Sequence, residues 1–258
     1  MTSDADTDYI IETRGLTKEF SGFISVNNLD LRVRSGTIHA LIGPNGAGKT
    51  TIFNLITKFL APTSGQIFYG GIDVTGFSPS LLAQRGMVRS FQISAVFPSL
   101  SVRDNVRIAL QRSTGLTYRF WQSEVRLYGL HDRVQELLAS VGLQDFADVI
   151  AGDLSYGRKR ALEIATTIAL EPRLLLLDEP TAGLGQEDID TIVRLIKNFA
   201  VNRSVLMVEH NLSVVEDLSD AITVLSRGKI LAEGTYQTVS KNREVMEAYL
   251  GTGDDDPP

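Results

Sequence analysis

Apolar residues recur along this chain with two different periods, which predict strands in some stretches and helices in others. Residues 24–33 alternate apolar and polar side chains, the pattern of a half-buried strand. Residues 38–42, 174–177 and 205–208 are apolar almost throughout, and such runs suit strands that are buried on both faces. Parallel sheets covered by helices contain strands of this kind, so the pattern favours an α/β fold.

Helical spacing, with apolar residues three or four positions apart, marks residues 102–110 and 134–141 and again residues 189–199. The first two segments fall between stretches of α/β character. We therefore predict that residues 95–150 are a helical insert within a single domain of residues 9–250.

Shorter elements complete the predicted order, and turn residues separate them. We expect Phe20 to lie in the turn between the strand at 9–11 and the strand at 24–33. These shorter elements are strands at 9–11, 66–69 and 87–91, helical segments at 51–59 and 81–83, and a hairpin formed by 222–225 and 229–232.

The residues between the strand at 38–42 and the following helix carry the strongest chemical motif. Gly43, Gly48, Lys49 and Thr50 match the P-loop pattern G-x-x-x-x-G-K-[ST]. In such a loop several backbone N–H groups converge on phosphate, and Gly48 leaves room for the backbone to approach it. We expect Lys49 to reach the β- and γ-phosphates and the Thr50 hydroxyl to hold Mg²⁺. A Gly-rich turn that matches by chance is the alternative, but the flanking elements favour ATP or GTP binding.

Composition limits the remaining possibilities. The net charge of −6 argues against a general nucleic-acid binder, and the absence of cysteine is consistent with a reducing cytoplasm. No apolar run approaches the roughly 20 residues needed to cross a bilayer, so we expect membrane association to require a partner. We expect residues 1–8, which do not resemble a signal peptide, and residues 251–258 to be disordered tails.

Two carboxylates follow the run of four leucines at 174–177. Asp178 and Glu179 would emerge at the C-terminal end of a buried strand, where α/β sheets bind ligands. We expect Asp178 to hold Mg²⁺ through water and Glu179 to polarise an attacking water. Such a pair could instead cap a helix, but the P-loop upstream favours the catalytic interpretation.

Further motifs, in sequence order, resemble those of the ABC ATPases. Gln92 follows Ser-Phe, His210 follows Val-Glu, and residues 182–184 read Ala-Gly-Leu. Residues 154–158, Leu-Ser-Tyr-Gly-Arg, resemble the signature motif of that family, usually Leu-Ser-Gly-Gly-Gln. The resemblance covers essentially the whole chain. It implies a P-loop ABC ATPase core with a mixed sheet, an N-terminal antiparallel β subdomain and a helical insert.

Finer features resemble the ATPases of branched-chain amino-acid importers. These are residues 87–92, Tyr156 in the signature motif, the longer helical insert, and the ending Glu-Ala-Tyr-Leu-Gly at 247–251. ATPases for urea, lipopolysaccharide or other lipids share parts of this set, so a lipid-type transporter stays open as an alternative.

The resemblance also implies a role for each motif residue. Phe20 would stack on adenine, although a core position is the commoner fate of a phenylalanine. Gln92 would contact Mg²⁺ and the attacking water, and His210 would touch the γ-phosphate and order the catalytic glutamate. Ser155 and Gly157, at the start of a helix expected over residues 158–170, would face the γ-phosphate held by a second subunit. The nucleotide-binding set is Phe20, Gly43, Pro44, Asn45, Gly46, Ala47, Gly48, Lys49, Thr50, Thr51, Ser155, Tyr156 and Gly157.

The partners follow from the same resemblance. They are a second ATPase subunit bound head-to-tail, transmembrane permeases at the cytoplasmic face of the plasma membrane and, indirectly, a solute-binding protein. Two departures affect the pairing: Gly185 stands where most of the superfamily has Asp, and Arg158 replaces the signature Gln. A heterodimer, whose companion could supply both missing residues, is therefore preferred over a homodimer.

One segment differs from the acidic average of the chain. Residues 85–133 contain eight Arg against three acidic residues, a local charge of +5. This segment also contains Tyr118, Phe120 and Trp121. A solvated helical face and a surface beside anionic headgroups or an acidic partner loop are equally compatible with this pattern.

Three classes of function remain. The leading one is the ATP-hydrolysing subunit of a membrane transporter, an importer of branched-chain amino acids or similar polar solutes. The second is a soluble ABC ATPase that acts on DNA or ribosomes, although paired domains, coiled-coil inserts and basic linkers are not visible here. The third is a regulatory module without turnover, against which Glu179 and His210 argue.

Overall fold

The structure is a computed structural model that describes residues 8–90, 96–113, 124–201 and 203–250. Gln92, the three aromatic residues at 118, 120 and 121, and the tails predicted to be disordered, apart from Asp8, lie outside these ranges. The elements are β1 (Tyr9–Phe20), β2 (Phe23–Leu29), β3 (Arg32–Arg34), β4 (Ile38–Ile42), α1 (Lys49–Ile56), β5 (Ser64–Tyr69), β6 (Ile72–Asp73), α2 (Pro79–Gln84), β7 (Met87–Ser90), α3 (Val102–Ser113), α4 (Glu124–Ser140), α5 (Tyr156–Ile168), β8 (Leu174–Asp178), α6 (Gln186–Ala200), β9 (Ser204–Val208), α7 (Leu212–Leu218), β10 (Ala221–Ser226), β11 (Lys229–Gly234), α8 (Tyr236–Val239) and α9 (Arg243–Leu250).

The N-terminal strands form an antiparallel sheet in the order β2-β1-β5-β6, and β3 also pairs with β1. The prediction of one strand over residues 24–33 is wrong, because the chain forms β2 and β3 with a break between them. At the break the Thr13 hydroxyl accepts from the N–H of Leu31 and donates to the carbonyl of Leu29, both at 2.8 Å. The Thr13 side chain thus replaces the backbone hydrogen bonds between strands at this point. The alternation of buried residues nevertheless continues through Leu29, Leu31 and Val33.

The larger sheet is mixed, as predicted, with the order β11-β10-β4-β9-β8-β7. All neighbouring strands from β10 to β7 are parallel, and β11 returns antiparallel to β10 as the predicted hairpin. Every residue of β4, β8 and β9 is buried. Because these three strands are adjacent and parallel, their C-terminal ends meet at one edge of the sheet, where the chemical motifs follow.

Two hydrophobic clusters cover the two faces of this sheet. The side chains of β8 alternate between them: Leu175 and Leu177 belong to one cluster, and Leu174 and Leu176 to the other. The first cluster also contains buried residues of α3 to α7, whereas the second contains α1 and the antiparallel sheet. The run of four leucines is therefore apolar because both faces of its strand are covered by other layers.

Helix boundaries differ from the expected ones for local reasons. The helix predicted over 51–59 runs from Lys49 to Ile56. It ends there because Lys58 adopts a left-handed φ of 64° and its N–H bonds the carbonyl of Leu55, three positions back, at 3.1 Å. The helix predicted over 158–170 begins at Tyr156, because Ser155 takes the N-cap position. Strand β1 runs for 12 residues, well beyond the predicted 9–11, because it pairs along both of its edges.

Helices α3 and α4 lie between β7 and α5 and contribute Val106, Val134 and Leu138 to the first cluster. The boundaries of the predicted insert, 95 and 150, stay a prediction. Several arginines of this region are paired: Arg103 with Asp148, Arg107 with Asp104, and Arg133 with Glu136 and Glu171. The local positive charge is therefore partly neutralised within the chain. Among the described residues, no helix combines the length and apolar character that a membrane span requires.

Candidate active site

The P-loop connects the buried strand β4 to helix α1, as its sequence predicts. Gly43 and Gly48 both adopt φ values in the left-handed region, 149° and 101°. They also lie against other backbone segments: a Cβ would lie 2.3 Å from the carbonyl of Leu225 at Gly43, and 2.7 Å from that of Ser25 at Gly48. A side chain at either position would displace the loop from β10 or β2, so both glycines fix the shape of the loop.

Lys49, the first residue of α1, turns back along the loop. Its Nζ donates to the carbonyls of Gly43 at 2.6 Å and Pro44 at 2.9 Å, and the residue is only 6% exposed. Burial lowers the pKa of Lys49, and the nearby charge of Glu179 opposes that shift. The P-loop cation and the predicted catalytic carboxylate are therefore close enough for their charges to interact.

The other predicted loop residues differ in exposure. Asn45, Gly46 and Thr50 are exposed, whereas Ala47 is buried. The Thr51 hydroxyl lies 2.8 Å from the hydroxyl of Ser25 on β2. The side chain of Thr51 is therefore used to hold α1 against the antiparallel sheet, and its contribution to nucleotide binding stays a prediction.

Tyr249 on α9 also reaches this loop, which sequence reasoning did not foresee. Burial raises the pKa of Tyr249, and a hydrogen bond from the backbone N–H of Gly43 opposes that shift. The tyrosine of the Glu-Ala-Tyr-Leu-Gly ending therefore contacts the first residue of the P-loop.

Asp178 ends β8 and is nearly buried. Its Oδ2 accepts from Nη2 of Arg89 at 2.5 Å, and Arg89 Nη1 donates to Asn54 Oδ1 at 2.6 Å. Sequence reasoning missed this arginine, since Arg89 stands on β7 and only the parallel pairing of β7 with β8 brings it to the carboxylate. The ion pair orients Asp178 and reduces its free negative charge.

Glu179 and His210 come together although 31 positions separate them in sequence. They follow the adjacent strands β8 and β9, and His210 Nε2 lies 2.9 Å from Glu179 Oε1. Both side chains keep solvent access, with 29% of Glu179 and 44% of His210 exposed. A carboxylate that is held by an imidazole and open to water can orient a water molecule and accept its proton.

Glu179 has an unusual backbone, with a left-handed φ of 47°. Such a conformation costs about 1–3 kcal/mol in a residue other than glycine and persists only where the surroundings impose it. Arg160, buried on α5, supplies part of this constraint by donating to the carbonyls of Asp178, Glu179 and Pro180 at 3.1–3.4 Å. Sequence reasoning missed Arg160, because its role in fixing this turn depends on the contact between α5 and the end of β8.

Phe20 is the last residue of β1, one position before the turn in which it was expected, and pairs with Phe23. It is 42% exposed, so the alternative of a core aromatic is wrong. The Lys18 ammonium lies 5.1 Å from the centre of the Phe20 ring. An exposed ring at the tip of a hairpin is available for stacking, and adenine binding by Phe20 stays a prediction.

The signature residues stand at the start of α5, where Ser155 and Tyr156 are exposed and Gly157 is buried. Ser155 is the N-cap and makes no capping hydrogen bond with its side chain, and Tyr156 is 63% exposed. Gly157 is buried under Asp188, whose carboxylate occupies the place that a Cβ would need. Arg158, which replaces the usual Gln, places its guanidinium 4.0 Å from the centre of the Phe146 ring. This arginine is therefore involved in packing.

The donors around the P-loop match the needs of a magnesium–nucleotide complex. Among the described residues no three His, Cys, Asp or Glu side chains cluster as a metal site. Mg²⁺ in phosphate sites usually takes one or two protein oxygens and completes its shell with phosphates and water. The exposed Thr50 hydroxyl and the Asp178 carboxylate are ligands of that kind, so the residues fit the ion.

Comparison with known proteins decides the family. The family described as ABC transporter matches residues 26–182, which include the P-loop, the signature motif and Glu179. The chain belongs to the ABC transporter ATP-binding family. This ABC cassette also matches, over residues 229–255, a family described as branched-chain amino acid ATP-binding cassette transporter.

Individual relatives of the cassette agree with this assignment. It is 38% identical to the high-affinity branched-chain amino acid transport ATP-binding protein BraF of Pseudomonas aeruginosa, over 94% of this chain and 98% of the relative. It is 36% identical to the corresponding LivG protein of Escherichia coli strain K12, over 94% and 98%.

Solved cassettes of ABC transporters share the fold. One in its ADP conformation superimposes with a TM-score of 0.80 at 28% identity, covering 95% of this chain and all of that one. A bacterial ABC transporter cassette described as dimeric has a TM-score of 0.73 at 25% identity, covering 88% and 98%. The α/β fold with its mixed sheet and the ATP-hydrolysing activity expected from the sequence are confirmed by the family.

Proposed function

We propose that this cassette hydrolyses MgATP to power the import of branched-chain amino acids. The observation that carries the proposal is the Glu179–His210 pair, 2.9 Å apart, at the sheet edge that also holds the P-loop. A module that only bound nucleotide would not need a carboxylate oriented by an imidazole beside the P-loop lysine. The substrate class rests on the names of the relatives and on the match over residues 229–255.

The chain's own residues divide the chemistry between them. Glu179 orients the attacking water and accepts its proton as the new P–O bond forms and the bond to the ADP leaving group breaks. Lys49 and the backbone N–H groups of the P-loop hold the phosphates, and His210 contacts the γ-phosphate while fixing Glu179. Mg²⁺, held by Thr50, Asp178 and Gln92, would neutralise phosphate charge; Gln92 lies outside the described residues.

The site requires a second ATPase subunit. Ser155 and Tyr156 are exposed at the start of α5, and the Ser155 side chain makes no capping bond, whereas Gly157 lies buried beneath Asp188. A serine hydroxyl at a helix N-terminus suits a phosphate. The chain's own P-loop already surrounds its phosphates, so we assign these residues to the γ-phosphate bound by a companion chain. The dimeric cassette among the structural relatives supports such a pair. Arg158 and Gly185 make a heterodimer our preferred assembly.

The remaining partners follow from a transport function. Permease subunits would form the membrane path and hold the cassette at the cytoplasmic face of the plasma membrane, and a solute-binding protein would act through them. A lipid-type transporter ATPase is the second candidate, because such proteins share parts of the sequence features used here. No described feature favours a soluble ABC ATPase that acts on DNA or ribosomes.

The test is reconstitution of this cassette with candidate permeases, a companion ATPase and a binding protein, sought first among the products of adjacent genes. Vesicles containing the permeases, this cassette and the companion ATPase should take up labelled leucine when the binding protein and ATP are supplied on the correct sides. The same vesicles with Glu179→Gln should not. ATP hydrolysis without leucine uptake, together with movement of a lipid between leaflets, would replace the proposed substrate by the lipid alternative.

A further inference from the structure

Glu209 is a buried carboxylate that bonds the turns carrying the two catalytic side chains, and the motif roles leave it unassigned. It stands on the turn after β9, directly before His210, and is 3% exposed. A carboxylate almost never lies so deep without partners that compensate for the loss of water. The partners of Glu209 connect it to both sides of the site.

Four donors converge on the two oxygens of Glu209. Oε1 accepts from the N–H of Thr181 at 2.9 Å and from the Thr181 hydroxyl at 2.6 Å. Oε2 accepts from the N–H of His210 at 2.9 Å and from the N–H of Asn211 at 3.2 Å. One oxygen therefore binds the turn after β8, and the other binds the turn after β9.

These two turns carry the catalytic pair. Thr181 is two positions after Glu179, whose own N–H donates to the carbonyl of Val208 at 2.9 Å. The strained φ of Glu179 needs a fixed backbone on both sides. Arg160 holds the carbonyls of this turn from α5, and Glu209 holds its N–H and hydroxyl groups from the side of β9.

We propose that Glu209 is a positioning residue that sets the distance between Glu179 and His210 by binding the turns on which they stand. The inference rests on the proposed catalytic roles of that pair and deepens them. The negative charge and the four acceptor sites of a carboxylate are needed, because all four partners are donors. A glutamine would present its NH₂ group to two of these donors and would separate one turn from the other.

The first variant is Glu209→Gln, measured by steady-state ATP hydrolysis and by nucleotide binding in the same subunit mixture as the wild type. Because small displacements of catalytic groups are costly, we expect kcat to fall about 10²-fold. KM and the affinity for MgATP should change by less than about threefold, since the P-loop is untouched. Glu209→Asp, which keeps the charge with a shorter reach, should recover part of kcat.

Thr181→Val is the milder test, because it removes one hydroxyl donor at nearly constant shape and applies even if Glu209→Gln folds poorly. We expect a smaller loss of kcat at unchanged KM. Val215→Ala is the matched stability control, because Val215 is fully buried on α7 within the first hydrophobic cluster. This variant should lower the melting temperature while kcat stays within about twofold of wild type.

A double variant separates positioning from general damage. If Glu209 acts through the catalytic pair, Glu209→Gln should add little to His210→Ala, because residues that act as a unit are not additive. The inference would be overturned if the double variant lost kcat by the product of the two single-variant factors. It would also be overturned if Val215→Ala lost as much kcat as Glu209→Gln. If Glu179→Gln is inactive while Glu209→Gln keeps kcat, only the role of Glu209 fails. If Glu179→Gln turns over normally, the proposed catalytic site itself fails.

Discussion

The two ends of the nucleotide machinery are built in different ways within this one chain. At the P-loop end Lys49, Asp178 and Glu179 each have partners in the chain, and most of these groups are buried. At the signature end Ser155 makes no capping bond with its side chain, and Tyr156 is largely exposed. The first half of the site is preorganised inside the chain, whereas the second presents its groups outward. This difference agrees with our proposal that the second half acts on a nucleotide held by another chain.

The largest effect should come from the carboxylate that is central to the first half. Glu179→Gln keeps the size of the side chain but removes the charge and the proton acceptor, so steady-state hydrolysis should fall by about 10²–10⁴-fold. Binding of MgATP should be retained, and an equilibrium binding measurement checks this. Near-normal turnover by the purified variant would remove Glu179 from the mechanism.

A pair of substitutions sharpens the contrast between the two halves. Lys49→Ala should weaken nucleotide binding by the isolated chain by about 10- to 100-fold, because charge-assisted bonds to phosphate are worth about 1.5–3 kcal/mol. Ser155→Ala should leave that binding unchanged and lower turnover by an amount similar to the loss of one transition-state donor, about 10²-fold. Equal effects of both variants on binding to the isolated chain would contradict the division.

Strand β4, which leads into the P-loop, also contains a buried histidine. This histidine should make the folding stability of the chain sensitive to acid. His39 on β4 lies 2.8 Å from the Thr223 hydroxyl, which donates onward to Glu233 at 2.7 Å, so Nε2 of His39 carries the proton. Burial lowers the pKa of His39 to about 4 from its ordinary 6.5. His39 therefore becomes protonated below pH 6.5 in the unfolded chain, but only below about pH 4 in the folded chain.

Stability should accordingly fall as pH drops from 6.5 towards 4. One such histidine accounts for a loss of up to ~3 kcal/mol at the acid end of that window, and for none of the change above it. His39→Gln, which can keep a hydrogen bond to Thr223 without a titrating group, is the control. Chemical denaturation at several pH values should show a shallower acid decline for the variant than for the wild type, and identical declines would refute this origin.

The smallest predicted effect concerns the base of the nucleotide. Phe20→Ala should raise the apparent KM for ATP by an amount equal to about 1–3 kcal/mol, by analogy with base–aromatic stacking. Phe20→Tyr should be tolerated, because the stacking face is kept. Unchanged nucleotide affinity in Phe20→Ala would remove Phe20 from the nucleotide-binding set.

The sequence predicted the features that depend on local patterns, and it missed those that depend on contacts between distant parts of the chain. The buried strands β4, β8 and β9, the hairpin of β10 and β11 and helix α6 were predicted because hydrophobic periods report burial directly. The prediction of one strand over residues 24–33 was wrong, because the alternation of buried and exposed residues continues across a break in the strand. The Thr13 side chain makes the hydrogen bonds at that break. Arg89, Arg160 and Glu209 were missed because their roles depend on pairing between elements distant in sequence.

The most direct test of the divided site is the molar mass of the Glu179→Gln protein by light scattering, with and without MgATP. The variant is expected to bind nucleotide without consuming it, so the bound state should accumulate. We expect one chain per particle without nucleotide and a pair with MgATP, formed most readily when the companion ATPase is added. Adding Ser155→Arg to the same chain should abolish pairing with ATP still bound. A tight ATP-dependent homodimer with no gain from the companion would contradict the heterodimer. Wild-type hydrolysis by particles of single-chain mass would contradict the shared site itself.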